Sequence, residues 1–235
     1  MIPRTATLIL AFLALLAGCS RGPVKQEAQA VTAAPAVAPE TVAPVAPVSR
    51  WIFPITGGLI PTAAELLPNA TREYRNGVHQ GVDLYHKAGD QTVSCGEPVL
   101  NAREGWVVRA DVKWNGLNER TYEMLLAESK QGPDEKALDR LRGRQIWIRD
   151  ADGWVIRYCH LSGIGPDLQV GLKVPAGIRI GSVGNTGTLD GAKGTGLNCH
   201  LHFEVWTSPD TFLGKGQSPE KARELLRKLF EPPKP

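Results

Sequence analysis

Long hydrophobic runs are scarce in this sequence. The longest in the 235 residues spans positions 8–17, well short of the ~20 apolar residues that cross a bilayer as a helix. Its length, and the lone basic residue Arg4 before it, suit the apolar region of a cleaved secretory signal. A surplus of one charge is also lacking. The 27 Lys and Arg against 24 Asp and Glu leave a formal +3, too little to drive association with nucleic acid. Arg140, Arg142 and Arg144 do cluster, and a solvated face is the expected reading. Cysteine and histidine are few, four and five, so chemistry built on them must lie in their spacing. Apolar residues, at 42% against 22% charged, are abundant enough for a core and exclude a wholly disordered or fibrous chain.

Leu16-Ala17-Gly18-Cys19 resembles the lipobox of bacterial lipoprotein signal peptides. The resemblance implies cleavage before Cys19 and lipidation of that residue; the alternative is an ordinary cleaved signal with a chance cysteine. Several acyl chains, at ~0.8 kcal/mol per buried methylene, would hold the protein to a membrane permanently. Ser20 in the next position resembles outer-membrane lipoproteins of a diderm bacterium, so the expected place is the periplasmic face of the outer membrane. Residues 19–50 then turn to Ala, Val and Pro, including Pro23, Pro35, Pro39, Pro44 and Pro47, a composition of tethers rather than cores. All six tryptophans lie from Trp51 onward. The expected organisation is a signal over 1–18, a lipidated tether over 19–50 and one folded domain over 51–235.

Within that domain short apolar runs at 98–102, 105–110, 145–149, 154–161 and 200–206 are separated by glycine-rich turns, which predicts a mainly β, antiparallel domain. Helical spacing occurs over 118–143, in two pieces broken at Gly132-Pro133, and over 218–230 with Ser218 as N-cap.

Four histidines fall in three segments. His79 and Asp83 are separated by three residues and flanked by Gly77 and Gly81; a straight strand would hold them ~13 Å apart, and the glycines allow the bend that would bring them together. A hydrogen-bonded pair without an ion remains an equal reading. In Cys199-His200-Leu201-His202-Phe203-Glu204-Val205, alternation places His200, His202 and Glu204 on one face and the apolar residues on the other. Two adjacent imidazoles with a carboxylate near them point to a metal, zinc being the natural ion. In Tyr158-Cys159-His160, alternation puts Tyr158 and His160 on a common face. His86 matches no pattern and is expected on the surface. Tyr74, five residues before His79, is expected to pack, with an oxyanion donor as the alternative. For Glu204 a solvated strand position and a role orienting a histidine are equal readings.

Taken in order, the three segments, with Gly96-Glu97-Pro98-Val99 and Gly184-Asn185-Thr186-Gly187, resemble the LytM/lysostaphin-type zinc metallopeptidases. The similarity covers roughly residues 76–207. It implies the family's antiparallel β domain, of the duplicated-hybrid-motif type, and one zinc ion held by His79, Asp83 and His202. It also implies His160 and His200 as the unligated catalytic pair and peptidoglycan peptide cross-links as substrate. It suggests a disulfide between Cys95 and Cys199; Cys159 and Cys199, each preceding a histidine, are expected to face away from the metal. Residues 111–144 depart from the family pattern. They are either inert decoration or a rim that gates substrate or meets an envelope protein. The expected function is a membrane-anchored zinc endopeptidase of peptidoglycan. Its rivals are a non-catalytic lipoprotein that activates cell-wall amidases and a wall-binding scaffold.

Overall fold

The structure, a computed structural model, describes residues 50–131 and 134–231. The signal, Cys19, nearly all of the tether and the Gly132-Pro133 break lie outside the described residues. Among the described residues no helix is long and apolar enough to cross a membrane.

The chain runs through β1 (Thr71–Arg72), β2 (Gly77–Val78), β3 (Val82–Leu84), β4 (His86–Lys87), β5 (Gln91–Thr92), β6 (Pro98–Leu100) and β7 (Gly105–Ala110). Two helices follow, α1 (Glu119–Lys130) and α2 (Glu135–Leu141), then β8 (Ile146–Arg149), β9 (Val155–Cys159), β10 (Gly163–Ile164), β11 (Lys173–Val174) and β12 (Arg179–Ser182). The short α3 (Leu189–Ala192), β13 (Leu201–Ser208), β14 (Thr211–Phe212) and α4 (Pro219–Phe230) complete it. The fold is mainly β. Its main sheet is antiparallel in the order β11-β7-β8-β9-β13-β14, with β3 also paired to β13, and β10-β12-β6 form a second, smaller sheet.

The strands form where β-branched and aromatic residues alternate, because their side chains pack on a pleated surface. Tyr158, Phe203, Ile146, Ile148, Ile156 and Leu201 are fully buried, each contributing roughly 1.5–3 kcal/mol by leaving water. The buried Tyr158 hydroxyl is satisfied, donating to Asn101 Oδ1 at 3.0 Å and accepting from the Ala102 amide at 2.7 Å. At the C-terminus the Ser218 side chain caps α4 by accepting from the Lys221 amide, a cap worth about 1 kcal/mol. Phe230 packs on Phe53 and Trp51, joining α4 to the first described residues.

Three expectations drawn from alternation are corrected. The β13 strand is buried on both faces, Glu204 included at 1% exposure, so no solvated face exists there. And β9 ends at Cys159, after which His160 adopts a φ of +60°. That left-handed conformation breaks the strand's alternation, and His160 leaves the face of Tyr158: its ring lies 4.8 Å from His200, whereas Tyr158 packs on Phe203 in the core. Cys159, registered opposite His202, shares that histidine's face rather than turning away from it.

Residues 111–144 contain α1, capped by Asn118, and α2, capped by Asp134. Leu125, Ala137, Leu138 and Leu141 give the pair a small core of its own. The arginine cluster beyond α2 is not one solvated face. Arg140 is exposed, whereas Arg142 is buried at 5% and paired with Glu204.

Candidate metal and catalytic centre

Strand pairing creates the site. The β3 strand lies against β13 with Asp83 registered opposite His202, although 119 residues separate them. Gly81 permits the approach, since a Cβ there would strike the Phe203 carbonyl. The chain bends between β2 and β3, and His79 Nε2 comes 3.0 Å from Asp83 Oδ1. His202 Nδ1 lies 2.7 Å from the same oxygen and 3.0 Å from His79 Nε2.

Each histidine has one ring nitrogen committed to the protein. His79 Nδ1 donates to the Leu67 carbonyl at 3.0 Å, and His202 Nε2 donates to Glu204 Oε1 at 2.9 Å. His160 Nδ1 donates to the Thr186 carbonyl at 2.8 Å, and His200 Nδ1 to the Asn198 carbonyl at 2.9 Å. Oxygens of this kind only accept, so these nitrogens carry the hydrogens; the opposite nitrogens of His79, His160 and His200 carry lone pairs, while His202 Nδ1, 2.7 Å from Asp83 Oδ1, holds a proton until a cation displaces it. His79 Nε2 and Asp83 Oδ1 are therefore two acceptors in contact within a buried cluster, an arrangement that a cation between them would relieve. Two imidazoles and one carboxylate are also a donor set that zinc accepts, with room for a further ligand. These residues fit the ion.

A second cluster, Cys159, His202 and Glu204, also brings donor atoms together. It is a poor metal site. Glu204 already accepts from His202 Nε2, from Arg142 Nε at 2.7 Å, from Arg157 Nη1 at 3.3 Å and from Trp206 Nε1 at 2.5 Å, which fills its lone pairs. Burial pushes the Cys159 thiol well above its ordinary pKa, so it stays protonated and binds metal weakly.

Electrostatics separate the groups. Burial holds His160 well below the usual histidine range, and the neighbouring His200 and His202 lower it further. Burial also lowers His79 and His200. For His202 burial acts in the same direction but is outweighed by the Asp83 and Glu204 hydrogen bonds, and its pKa is raised. Burial would raise Glu204, yet Arg142, His202 and Arg157 hold it well below the carboxylate range. Asp83 is likewise held low by His79 and His202 against burial.

His160 and His200 face each other across the cleft with ring centroids 4.8 Å apart, and His200 Nε2 lies 3.7 Å from Asp83 Oδ1. Tyr85 stacks on the His200 ring at 4.3 Å. No spacing in the sequence pointed to Tyr85; only its place one residue after β3 could have suggested it. Tyr74 does not pack in the core: it is 45% exposed and lines the cleft. His86 is exposed on β4. Cys95 and Cys199 are joined by a disulfide with Cα atoms 5.2 Å apart, and Cys159 is a buried free thiol. The cleft encloses about 350 Å³, and Tyr122, Leu126 and Leu141 of the two inserted helices form part of its wall. The insertion is thus a rim.

The family model described as Peptidase family M23 matches residues 77–217, a span that begins two residues before His79 and contains all four histidines of the cleft. No curated protein matches the chain. Among solved structures, the catalytic domain of the antimicrobial peptidase lysostaphin from Staphylococcus simulans is similar at 25% identity and a TM-score of 0.38, over 66% of this chain and 82% of that one. A zinc-containing peptidase from Vibrio cholerae is similar at 19% identity and a TM-score of 0.43, over 68% of this chain and 37% of that one. The SpoIIQ–SpoIIIAH pore-forming complex includes a chain similar at 17% identity and a TM-score of 0.43, over 77% of this chain and 98% of that one.

Proposed function

The chain belongs to peptidase family M23, and from that premise we propose that it is a zinc metalloendopeptidase of the peptide cross-links in peptidoglycan. Under this reading His79, Asp83 and His202 hold one zinc ion, and His160 and His200 are the catalytic pair. The observation that carries it is the contact among His79 Nε2, Asp83 Oδ1 and His202 Nδ1, all within 3.0 Å, with the other nitrogen of each imidazole already donated elsewhere. Zinc bound there supplies a Lewis acid that polarises the scissile carbonyl and acidifies water.

The remaining chemistry belongs to side chains. His160 and His200 keep Nδ1–H on backbone carbonyls, so their Nε2 atoms accept toward the cleft. Burial keeps both neutral near pH 7, the state a general base requires. The pair takes the proton of the attacking water and returns it to the leaving amine. Glu204 holds His202 from behind, which fixes the ring that offers Nδ1. Tyr85 stacks on His200 and limits its rotation.

The lipobox at Cys19 and the proline-rich tether support a place at the outer membrane, facing the periplasm, where the enzyme would search a wall layer within tether reach. The test is zinc content together with turnover of purified cross-linked muropeptides, using His160→Ala as control. We expect one zinc per chain and turnover that the control loses by at least a hundredfold. A zinc-loaded wild type no more active than His160→Ala would instead favour an amidase activator or a scaffold.

A further inference from the structure

The inserted helices reach the centre through one residue. Residues 71–78 form a hairpin in which β1 pairs with β2, and α1 packs against its loop on one side and against α3 on the other. Arg142 closes α2. It is buried, and its guanidinium reaches beyond the helix to the elements that carry the proposed ligands. Nε donates to Glu204 Oε1 at 2.7 Å, the same oxygen that accepts from His202 Nε2 at 2.9 Å. Nη2 donates to Gln80 Oε1, and Gln80 follows His79 in the chain. The backbone of Arg142 serves the catalytic side. Its carbonyl accepts from the His160 amide at 2.9 Å, which helps to hold that residue in its left-handed conformation, one that residues other than glycine adopt infrequently.

Neutralising Glu204 does not call for Arg142. Arg157 lies 3.3 Å from the other carboxylate oxygen, Oε2, with its guanidinium between the rings of Trp147 and Trp206, 3.9 and 4.2 Å from their centres. A second buried guanidinium on one carboxylate is a further charge taken out of water. Glu135, the other acid near Arg142, is mostly exposed and 3.7 Å away. What Arg142 adds is geometry. Its rigid fork of donors fixes the oxygen behind His202 and the side chain beside His79 at once.

We propose that Arg142 is a positioning residue for the metal and catalytic centre. It ties the inserted helices to Glu204 and Gln80, through them holds His202 and His79 in ligating orientation, and seats His160 with its carbonyl. The insertion is then a working part of the centre as well as its wall.

This role rests on the peptidase reading, and the test separates the two. Three variants of the full chain are compared with wild type: Arg142→Gln, Arg142→Lys and, as a control, Arg103→Gln. Arg103 makes a buried ion pair with Asp150 at 2.6 Å and does not line the cleft, so its loss should lower stability without touching the centre. Competition with a chromophoric chelator reads zinc affinity, melting of the metal-free proteins reads Tm, and cross-linked muropeptides at saturating zinc read kcat and KM. We expect Arg142→Gln to bind zinc about 10- to 100-fold more weakly and to lose about tenfold or more in kcat, with KM within about threefold. Arg142→Lys keeps a cation for Glu204 without the second arm to Gln80, and should recover roughly half of that loss on a logarithmic scale. Arg103→Gln should lower Tm while zinc affinity and kcat stay within about twofold of wild type. Unchanged zinc affinity in a folded Arg142→Gln, or an equal loss of affinity in Arg103→Gln, overturns the role. If Arg142→Gln does not fold, Arg142→Lys decides: zinc affinity lowered by about threefold or more upholds the role, and unchanged affinity overturns it. A zinc-loaded wild type that cleaves no muropeptide overturns the peptidase reading, and the comparison of affinities still decides the part played by Arg142.

Discussion

Glu204 shows how much one side chain does here. It is buried with four donors around its two oxygens, and truncating it strands Arg142 and Arg157 as buried charges. Glu204→Ala should therefore lower stability by roughly 3–5 kcal/mol and weaken zinc binding about 10- to 100-fold; denaturant melts and competition with a chromophoric chelator read the two effects. His202 sets a pH dependence. Its raised pKa means that, in the metal-free protein, Nδ1 holds a proton up to a pH above 6.5. That proton must leave before the nitrogen can ligate. Apparent zinc affinity should thus fall roughly tenfold per unit as pH drops below that pKa, and a titration that is flat from pH 8 to 6 would contradict it. His160 works in the opposite direction. Burial depresses its pKa, so it stays neutral below 6.5, and the acid limb it contributes to kcat should lie below that value.

Alternation located His200, His202 and Glu204 on one strand face because regular β geometry has period two. It misplaced His160 because a single left-handed residue is a tertiary choice with no local signature. The solvated reading of Glu204 failed for a related reason. Its partners Arg142 and Arg157 lie 62 and 47 residues away, and a sequence window does not register them.

Among elements, the inserted helices are bound to the site more tightly than a decoration would be. Just after α2, Gly143 adopts a φ of +69°, and a Cβ on it would strike the Thr186 carbonyl, the oxygen that accepts from His160 Nδ1. Gly143→Ala should push that carbonyl away, strain the backbone by on the order of 1 kcal/mol or more, and lower kcat more than zinc content. The helices themselves were legible from the helical spacing over 118–143 and the break at Gly132-Pro133; their caps, Asn118 and Asp134, were not singled out. That the helices wall the cleft was not legible, since Tyr122 and Leu126 meet the hairpin loop only in the folded chain. The disulfide acts on a third connection. It closes a separation of 104 residues, which in the chain-entropy picture is worth about 4–5 kcal/mol. Cys95→Ser should lower Tm accordingly and loosen the segment that enters β13 at His200.

At the scale of the whole molecule, the proposed lipid anchor at Cys19 is the feature that would set localisation. If Cys19 carries the lipid, Cys19→Ser should shift the protein from the membrane to the soluble fraction while its turnover of soluble muropeptides stays unchanged; a variant that still pellets with membranes would count against the anchor. Strands β6, β7, β8, β9 and β13 and helices α1, α2 and α4 were readable because each rests on a local pattern, whereas the two-residue strands and α3 are too short to show one. The β3–β13 pairing was not, because only the completed sheet brings Val82–Leu84 to Leu201–Phe203.

That late pairing has a consequence for biogenesis. One half of the candidate centre is synthesised early, with His79 and Asp83, and must wait for more than a hundred further residues before His202 exists to complete it. A chain that ends between β3 and β13 carries the His79–Asp83 pair but no assembled site. The centre is therefore completed only when β13 joins β3, late in the chain.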